Sequence, residues 1–280
     1  MTVVKLAKLH ATGNDFLVHQ ASTPLGSRIG AALCDRHRGI GADGLITLGP
    51  GRNGADCSMT LHNADGGEAE LSGNGLRCLA YVAARSGLGT HDTLVVETAA
   101  GRRVIHLERD PHGRVTDADV DMGAVTFDPR AIGLATDKAQ DLEATFHGVT
   151  YRGDAVGAGN PHFVLFVDDP DDARVAQHGP RLERDDRFPN RTNVEFVRVD
   201  TRDRIRMRVW ERGAGETLSC GTGACAAAAA AHRRGLVDDD VTVVVPGGEL
   251  RLRIGETVSL AGPVTHVFDV EIDLDALATA

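Results

Sequence analysis

The 280-residue chain is poor in the features that announce several protein classes. It has five cysteines, Cys34, Cys57, Cys78, Cys220 and Cys225, an odd and widely spaced set without a Cys-x-x-Cys pair. That pattern argues against a disulfide framework and a structural zinc site, and leaves single thiols to be explained. No apolar run approaches the ~18 residues of a membrane-spanning helix. The opening Met1-Thr2-Val3-Val4-Lys5-Leu6 reads as a strand rather than a signal peptide, so the expectation is a cytoplasmic protein with no membrane partner. A basic excess is missing too: the net charge is −10, with 12 histidines counted as neutral, which argues against a general nucleic-acid binder. Acidic runs such as Asp168-Asp169-Pro170-Asp171-Asp172 lack metal-loop spacing and read as solvated loops.

What is abundant is glycine, and its placement is informative. Gly215-Glu216-Thr217-Leu218-Ser219-Cys220-Gly221-Thr222-Gly223-Ala224-Cys225 sets a cysteine in a glycine-rich turn just before an alanine-rich helix that ends near Gly235. A thiol there meets the positive end of the helix dipole and the free N–H groups of the first turn, so thiolate is expected. The same N–H groups can hold a substrate carboxylate.

The segment occurs twice. A shift of 148 positions lays residues 61 to 103 on residues 209 to 251 without a gap, and 13 of the 43 pairs are identical. Roughly three would be expected by chance. Gly67, Glu68, Gly73, Gly75 and Gly87-Leu88 fall on Gly215, Glu216, Gly221, Gly223 and Gly235-Leu236, and Ser72 falls on Cys220. Two related halves follow, each with a helix-capping group and a Gly-x-Gly turn, one group a hydroxyl and the other a thiol.

Periodicity and turn residues fill in the rest. The first half reads as strands 3 to 9, 45 to 48, 59 to 63, 93 to 97, 103 to 108 and 115 to 121, with helical spacing at 27 to 36 and a helix from Leu76 to Ser86. Residues 127 to 140 read as loop. The second half reads as strands 149 to 154, 163 to 167, 194 to 199, 205 to 210, 241 to 245 and 250 to 254 with a helix from Ala224 to Arg234. A last strand, 264 to 272, is left over and is expected to return to the first half. The domains are therefore expected at 1–122, joined by 266–280, and at 123–265. Gly13-Asn14-Asp15-Phe16 and Gly159-Asn160-Pro161-His162 look like counterparts.

These two motifs, with Arg36-His37-x-Gly39-x-Gly41-x-Asp43-Gly44, Asn63-Ala64-Asp65-Gly66, Gly73-Asn74-Gly75-x-Arg77, Glu211-Arg212-Gly213-Ala214-Gly215-Glu216-Thr217 and Cys220-Gly221-Thr222-Gly223-Ala224, resemble the diaminopimelate epimerase family. The resemblance runs from the first strand to near residue 266. It implies an α/β (α+β) fold of two pseudo-symmetric domains, each a curved, mostly antiparallel sheet or barrel wrapped around a central helix, with the active site in the cleft between them. It also implies interconversion of LL- and meso-diaminopimelate with no cofactor, neither pyridoxal phosphate nor metal, and a homodimer.

By position the resemblance makes Cys220 one catalytic residue and puts Ser72 where the family has its other cysteine. His162 and Glu211 would tune the thiols. Gly73, Asn74, Gly221 and Thr222 would bind the reacting α-carboxylate; Asn63, Asn160, Asn193 and Arg212 the distal carboxylate; Glu211 the distal ammonium; and Asn14 would also contact substrate. Inverting an α-carbon without a cofactor needs a base on one face and an acid on the other, and two helix-capped half-sites supply both. A serine hydroxyl is far less acidic than a thiol and needs a neighbouring base. Two other readings therefore stand beside the epimerase: a related racemase or lyase with altered chemistry, and an amino-acid-binding protein that does not turn over. Cys34, Cys57 and Cys225 read as packing residues.

Overall fold

A computed structural model describes residues 2–89 and 92–277, which form two units, Met1–Asp121 with Ala261–Ala280 and Met122–Leu260. The chain passes into the second unit after Asp121 and re-enters the first at Ala261.

In the first unit, β1 (Val3–Ala11) and β2 (Asn14–Gln20) form a hairpin, α1 (Ser27–Cys34) follows, and β3 (Gly44–Pro50) returns parallel to β2. β4 (Cys57–Asn63) pairs antiparallel with β3 and with the short β5 (Glu68–Ala69). After α2 (Gly73–Arg85), β6 (Thr93–Thr98) lies parallel to β4, and β7 (Gly101–Arg109) and β8 (Val115–Asp121) complete a meander. The sheet curves round α2, which packs on β1, β2, β3, β4, β7 and β8. Apolar side chains on both sides of the helix are therefore buried, among them Leu76, Cys78, Leu79 and Val82.

The second unit repeats this order. α3 (Pro129–Ile132) and β9 (Leu142–Phe146) come first, then the hairpin β10 (Val149–Gly157) and β11 (Pro161–Phe166). α4 (Val175–Leu182) follows, and β12 (Asn193–Thr201) runs parallel to β11 as β3 does to β2. β13 (Arg204–Glu211), β14 (Gly215–Thr217), α5 (Gly221–Arg233), β15 (Asp240–Val245) and β16 (Gly248–Ile254) match β4 to β7, with β13 and β15 again parallel. Residues 221 to 231 of α5 are all buried, seven of them alanine. A helix enclosed by its sheet loses its amphipathic stripe, and alanine keeps the enclosing strands close without lowering helix propensity. β17 (Val258–Pro263) leads to β18 (Thr265–Asp273), which pairs antiparallel with β1, and α6 (Leu274–Leu277) ends the described chain. Val264 N–H donates to Thr116 O on β8, so the returning segment is bonded to both outer strands of the first unit's sheet.

Several expectations need correction. Both central helices start three residues early, at Gly73 and Gly221, because Ser72 and Cys220 are their N-caps and the Gly-x-Gly pairs form the first turn. The loop at 127 to 140 holds the one-turn α3, capped by Asp128 with Pro129 at its first position. β9, α4 and β17 were not foreseen. The repeat is not gapless: Cys57 pairs with Val96, but its equivalent Ile205 pairs with Val243, so beyond the helix the shift is 147. Burial agrees, since Leu94, Val96 and Thr98 face inward as Val241, Val243 and Val245 do. A one-residue slip would turn that strand inside out. Among the described residues no helix is long and apolar enough to cross a membrane.

Candidate active site

The second unit assembles most of the candidate chemistry. The parallel pairing of β11 with β12 places His162 beside Asn193, and Glu195 follows two residues on, on the same face. His162 is buried; its Nδ1 lies 2.7 Å from Glu195 Oε1 and its Nε2 2.7 Å from Asn160 Oδ1. Asn193 accepts through Oδ1 from the Arg212 N–H at 2.8 Å and donates from Nδ2 to Pro161 O at 3.2 Å, so its amide ties β11 to the end of β13. Arg212 is exposed and its Nη1 donates to Asn190 O at 3.0 Å.

Cys220 caps α5, with Sγ accepting from Gly223 N–H at 3.4 Å and lying 3.5 Å from Thr222 Oγ1. Glu211, at the end of β13, accepts from Thr217 Oγ1 at 2.5 Å and lies close enough to Cys220 for each to shift the other's titration. Burial pushes the Glu211 carboxyl above the ordinary carboxylate range. It also pushes the Cys220 thiol well above the ordinary cysteine value, and the carboxylates of Glu211 and Glu195 add to the rise. This opposes the local pull toward thiolate: Thr222 and the Gly223 N–H favour the anion, but desolvation and two neighbouring acids outweigh them. Gly223 has a steric reason: a Cβ there would stand 2.7 Å from Glu195 Oε1.

The first unit builds its counterpart from different material. Ser72 caps α2, its Oγ accepting from Gly75 N–H at 3.0 Å. A directed chain of hydrogen bonds crosses the half-site: Arg77 Nη2 donates to Asn74 Oδ1 at 2.6 Å, Asn74 Nδ2 to Asn14 Oδ1 at 3.1 Å, and Asn14 Nδ2 to Asp43 Oδ2 at 2.6 Å. It runs from a fully buried guanidinium to a carboxylate and so fixes which way both amides face. Asp43 is anchored by Arg36, which also bridges to Asp15, itself ion-paired with Lys8. Burial opposes ionisation of Asp15, but Arg36 and Lys8 hold its carboxyl well below the usual range. Gly73 and Asn74 are buried in the first turn, whereas Asn63 is exposed at the end of β4.

Ser72, Asn14 and Asn74 thus gather at one helix start, and Cys220, Thr222, Glu211, His162, Asn160 and Asn193 at the other. Sequence reasoning missed Glu195, Thr217 and the Asp15–Asp43 network. The signal for Glu195 was available: an acid inside Val194–Val197, a run with alternating faces and no other charge. Among the described residues no group of three or more His, Cys, Asp or Glu could hold a metal ion.

Comparison with solved structures defines the fold class. A hydroxyproline epimerase from Agrobacterium vitis superimposes with a TM-score of 0.76 over 96% of this chain and 92% of that one, at 17% identity. An epimerase from Pseudomonas aeruginosa, assigned by prediction, gives 0.71 over 96% and 99%, at 18% identity. The fold is that of amino-acid epimerases and racemases. Sequence comparison then narrows it. The family described as diaminopimelate epimerase matches residues 6–127 and 155–267. Diaminopimelate epimerases from Heliobacterium modesticaldum and Moorella thermoacetica are 41% and 43% identical, over 97% and 96% of this chain and 100% and 99% of their own. That from Cupriavidus taiwanensis is 44% identical over 98% and 99%. The chain belongs to the diaminopimelate epimerase family.

Proposed function

We propose that this protein is an isomerase of lysine and peptidoglycan precursor biosynthesis that interconverts LL- and meso-2,6-diaminopimelate by proton transfer at the α-carbon. The observation that supports this best is the Cys220 half-site: a thiol capping a buried helix, with the Glu211 carboxyl near it, beside two first-turn N–H groups. As acid, Cys220 gives its S–H proton to the α-carbanion, so that S–H breaks, C–H forms and thiolate remains. In the opposite direction the thiolate takes the α-proton and the thiol returns. The Gly221 and Thr222 N–H groups at the start of α5 suit an α-carboxylate, on which negative charge builds when the proton leaves, and Gly73 and Asn74 at α2 are assigned to the same group. Asn63, Asn160, Asn193, Arg212, Glu211 and Asn14 are assigned to substrate recognition, with Arg212 on the distal carboxylate and Glu211 on the distal ammonium. A homodimer in the cytoplasm belongs to the same reading.

A second reading keeps the substrate and changes the outcome. At the place that Glu211 holds in the second unit the first unit has the neutral Asn63, so Ser72 lacks the counterpart of that acid. The Cys220 face then exchanges protons faster than the molecule is inverted. Incubation with LL- and, separately, with meso-diaminopimelate in D2O separates the readings. Two-way epimerisation gives the other isomer with α-deuterium from either start. One-sided exchange puts α-deuterium into whichever isomer turns its α-proton to Cys220, with little of the other isomer formed. Neither label nor isomer under saturating substrate would defeat both.

A further inference from the structure

Glu195 is a fully buried carboxylate in a strand whose neighbours Val194, Phe196 and Val197 are all core residues. A charge in such a place is retained only with a partner. Oε1 has one in His162 Nδ1 at 2.7 Å, while Oε2 is buried with no hydrogen-bond partner among the described residues. Packing alone does not call for an acid here: the equivalent residue of the first unit is Ile46, which supports Gly75 as Glu195 supports Gly223. An ionised carboxylate can only accept, so Nδ1 of His162 carries a proton. Nε2 faces Asn160 Oδ1 at 2.7 Å. The groups that bear on Cys220 in this unit are Glu211 on β13 and Glu195 on β12, with Thr222 and Gly223 from its own helix, while His162 on β11 bears on Glu211.

From this geometry we infer that Glu195 is a positioning residue of the Cys220 half-site: it fixes the tautomer and orientation of His162 through Nδ1, and it sets its carboxylate against Gly223, the residue whose N–H meets Cys220 Sγ. The inference rests on the reading of Cys220 as a proton-transfer group and adds a residue to it.

The test uses two probes that need no substrate. In the native chain labelled with 15N-histidine, His162 shows a protonated Nδ1 with a downfield proton. Glu195→Gln retains an oxygen to accept that proton but removes the charge, so the proton resonance moves upfield. The pH curve for iodoacetamide alkylation of Cys220, read by peptide mapping, shifts to lower pH, about tenfold in rate at a fixed pH for a shift of one unit. Glu195→Ile, which copies the first unit, also loses the histidine signal. With diaminopimelate as substrate, kcat falls by roughly 10 to 100-fold with little change in KM. An unprotonated Nδ1 in the native chain overturns the inference even if no variant folds. So does an unmoved alkylation curve in a folded Glu195→Gln protein. A protein that shows both signatures but does not turn over diaminopimelate defeats the proposed substrate and leaves Glu195 in its role.

Discussion

The two units share a plan and differ in what they put on it. β2 and β3 place Phe16 beside Gly44, and β11 and β12 place His162 beside Asn193. One further pair along the same strands are Ile46 and Glu195, then Asn63 and Glu211 at the ends of β4 and β13, then the caps Ser72 and Cys220. At four of these places the first unit has an apolar, neutral or weakly acidic group, Phe16, Ile46, Asn63 and Ser72, where the second has an ionisable one, His162, Glu195, Glu211 and Cys220. The titratable groups of these equivalent places thus lie in one copy of a duplicated frame. The first copy keeps the helix start and the amides, held by the Arg77-to-Asp43 chain, which suit anion binding more than proton transfer.

The largest expected effect comes from closing that gap at its centre. Ser72→Cys places a thiol at both helix starts, and epimerisation rises by about 10² or more, the usual scale of a well-placed general acid or base. One rate assay on two proteins, started from each isomer, decides it. An unchanged or lowered rate means that the serine is not a weakened copy of the second thiol, and the altered-chemistry reading gains.

The next effect concerns Asn63-Ala64 against Glu211-Arg212, the recognition pair that only the second unit has. If Arg212 forks onto the distal carboxylate, Arg212→Lys keeps charge but loses bidentate geometry, and binding weakens by about 1.5 to 3 kcal/mol. Its present partner, the Asn190 carbonyl, is exposed and easily exchanged. A calorimetric dissociation constant that does not move would reduce Arg212 to a surface residue.

How far the sequence could be read depends on what kind of interaction sets each feature. The duplicated frame was legible because glycines, caps and alternating strands are local: Gly73, Gly75, Gly221 and Gly223 mark the helix starts wherever the rest of the chain goes. The one-residue slip at β6 was not, because only strand pairing shows that Val96 answers Val243 rather than Val244. The rise of the Cys220 thiol was not legible for a related reason. A helix start favours thiolate locally, but Glu195 and Glu211 come from strands 25 and 9 residues away in the chain, and burial is a property of the whole unit. The resemblance singled out His162 but said nothing of Glu195, whose Oε1 lies 2.7 Å from its Nδ1.

A third difference lies inside the helices, where Cys78 of α2 stands at the place of Ala226 in α5. Cys78 is fully enclosed, and burial pushes its thiol up to about 12. Because the folded value exceeds the unfolded value near 8.5, the folded state holds more protons between them, and stability falls as pH rises through that window by up to about 1.4 kcal/mol per unit. Below it the contribution is constant. Cys78→Ala makes α2 resemble α5 and flattens the alkaline decline of the unfolding free energy by that slope, measured by urea titration at several pH values. An identical slope in both proteins would show that the thiol does not ionise on unfolding.

The smallest effect separates the capping role of Ser72 from any chemical one. Its Oγ receives the Gly75 N–H at 3.0 Å, while Cys220 Sγ receives the Gly223 N–H at 3.4 Å, and sulfur is the poorer acceptor. As a cap, then, the serine is the better residue, and as a proton-transfer group the worse. Ser72→Ala removes the cap and costs about 1 kcal/mol of stability. Ser72→Cys falls between native and alanine in stability while rising above both in epimerisation rate. Denaturant midpoints and initial rates on the same three proteins test this opposition directly. If stability and rate fall together in the cysteine variant, the hydroxyl does more than cap the helix, and the contrast between the two half-sites is less sharp than their side chains indicate.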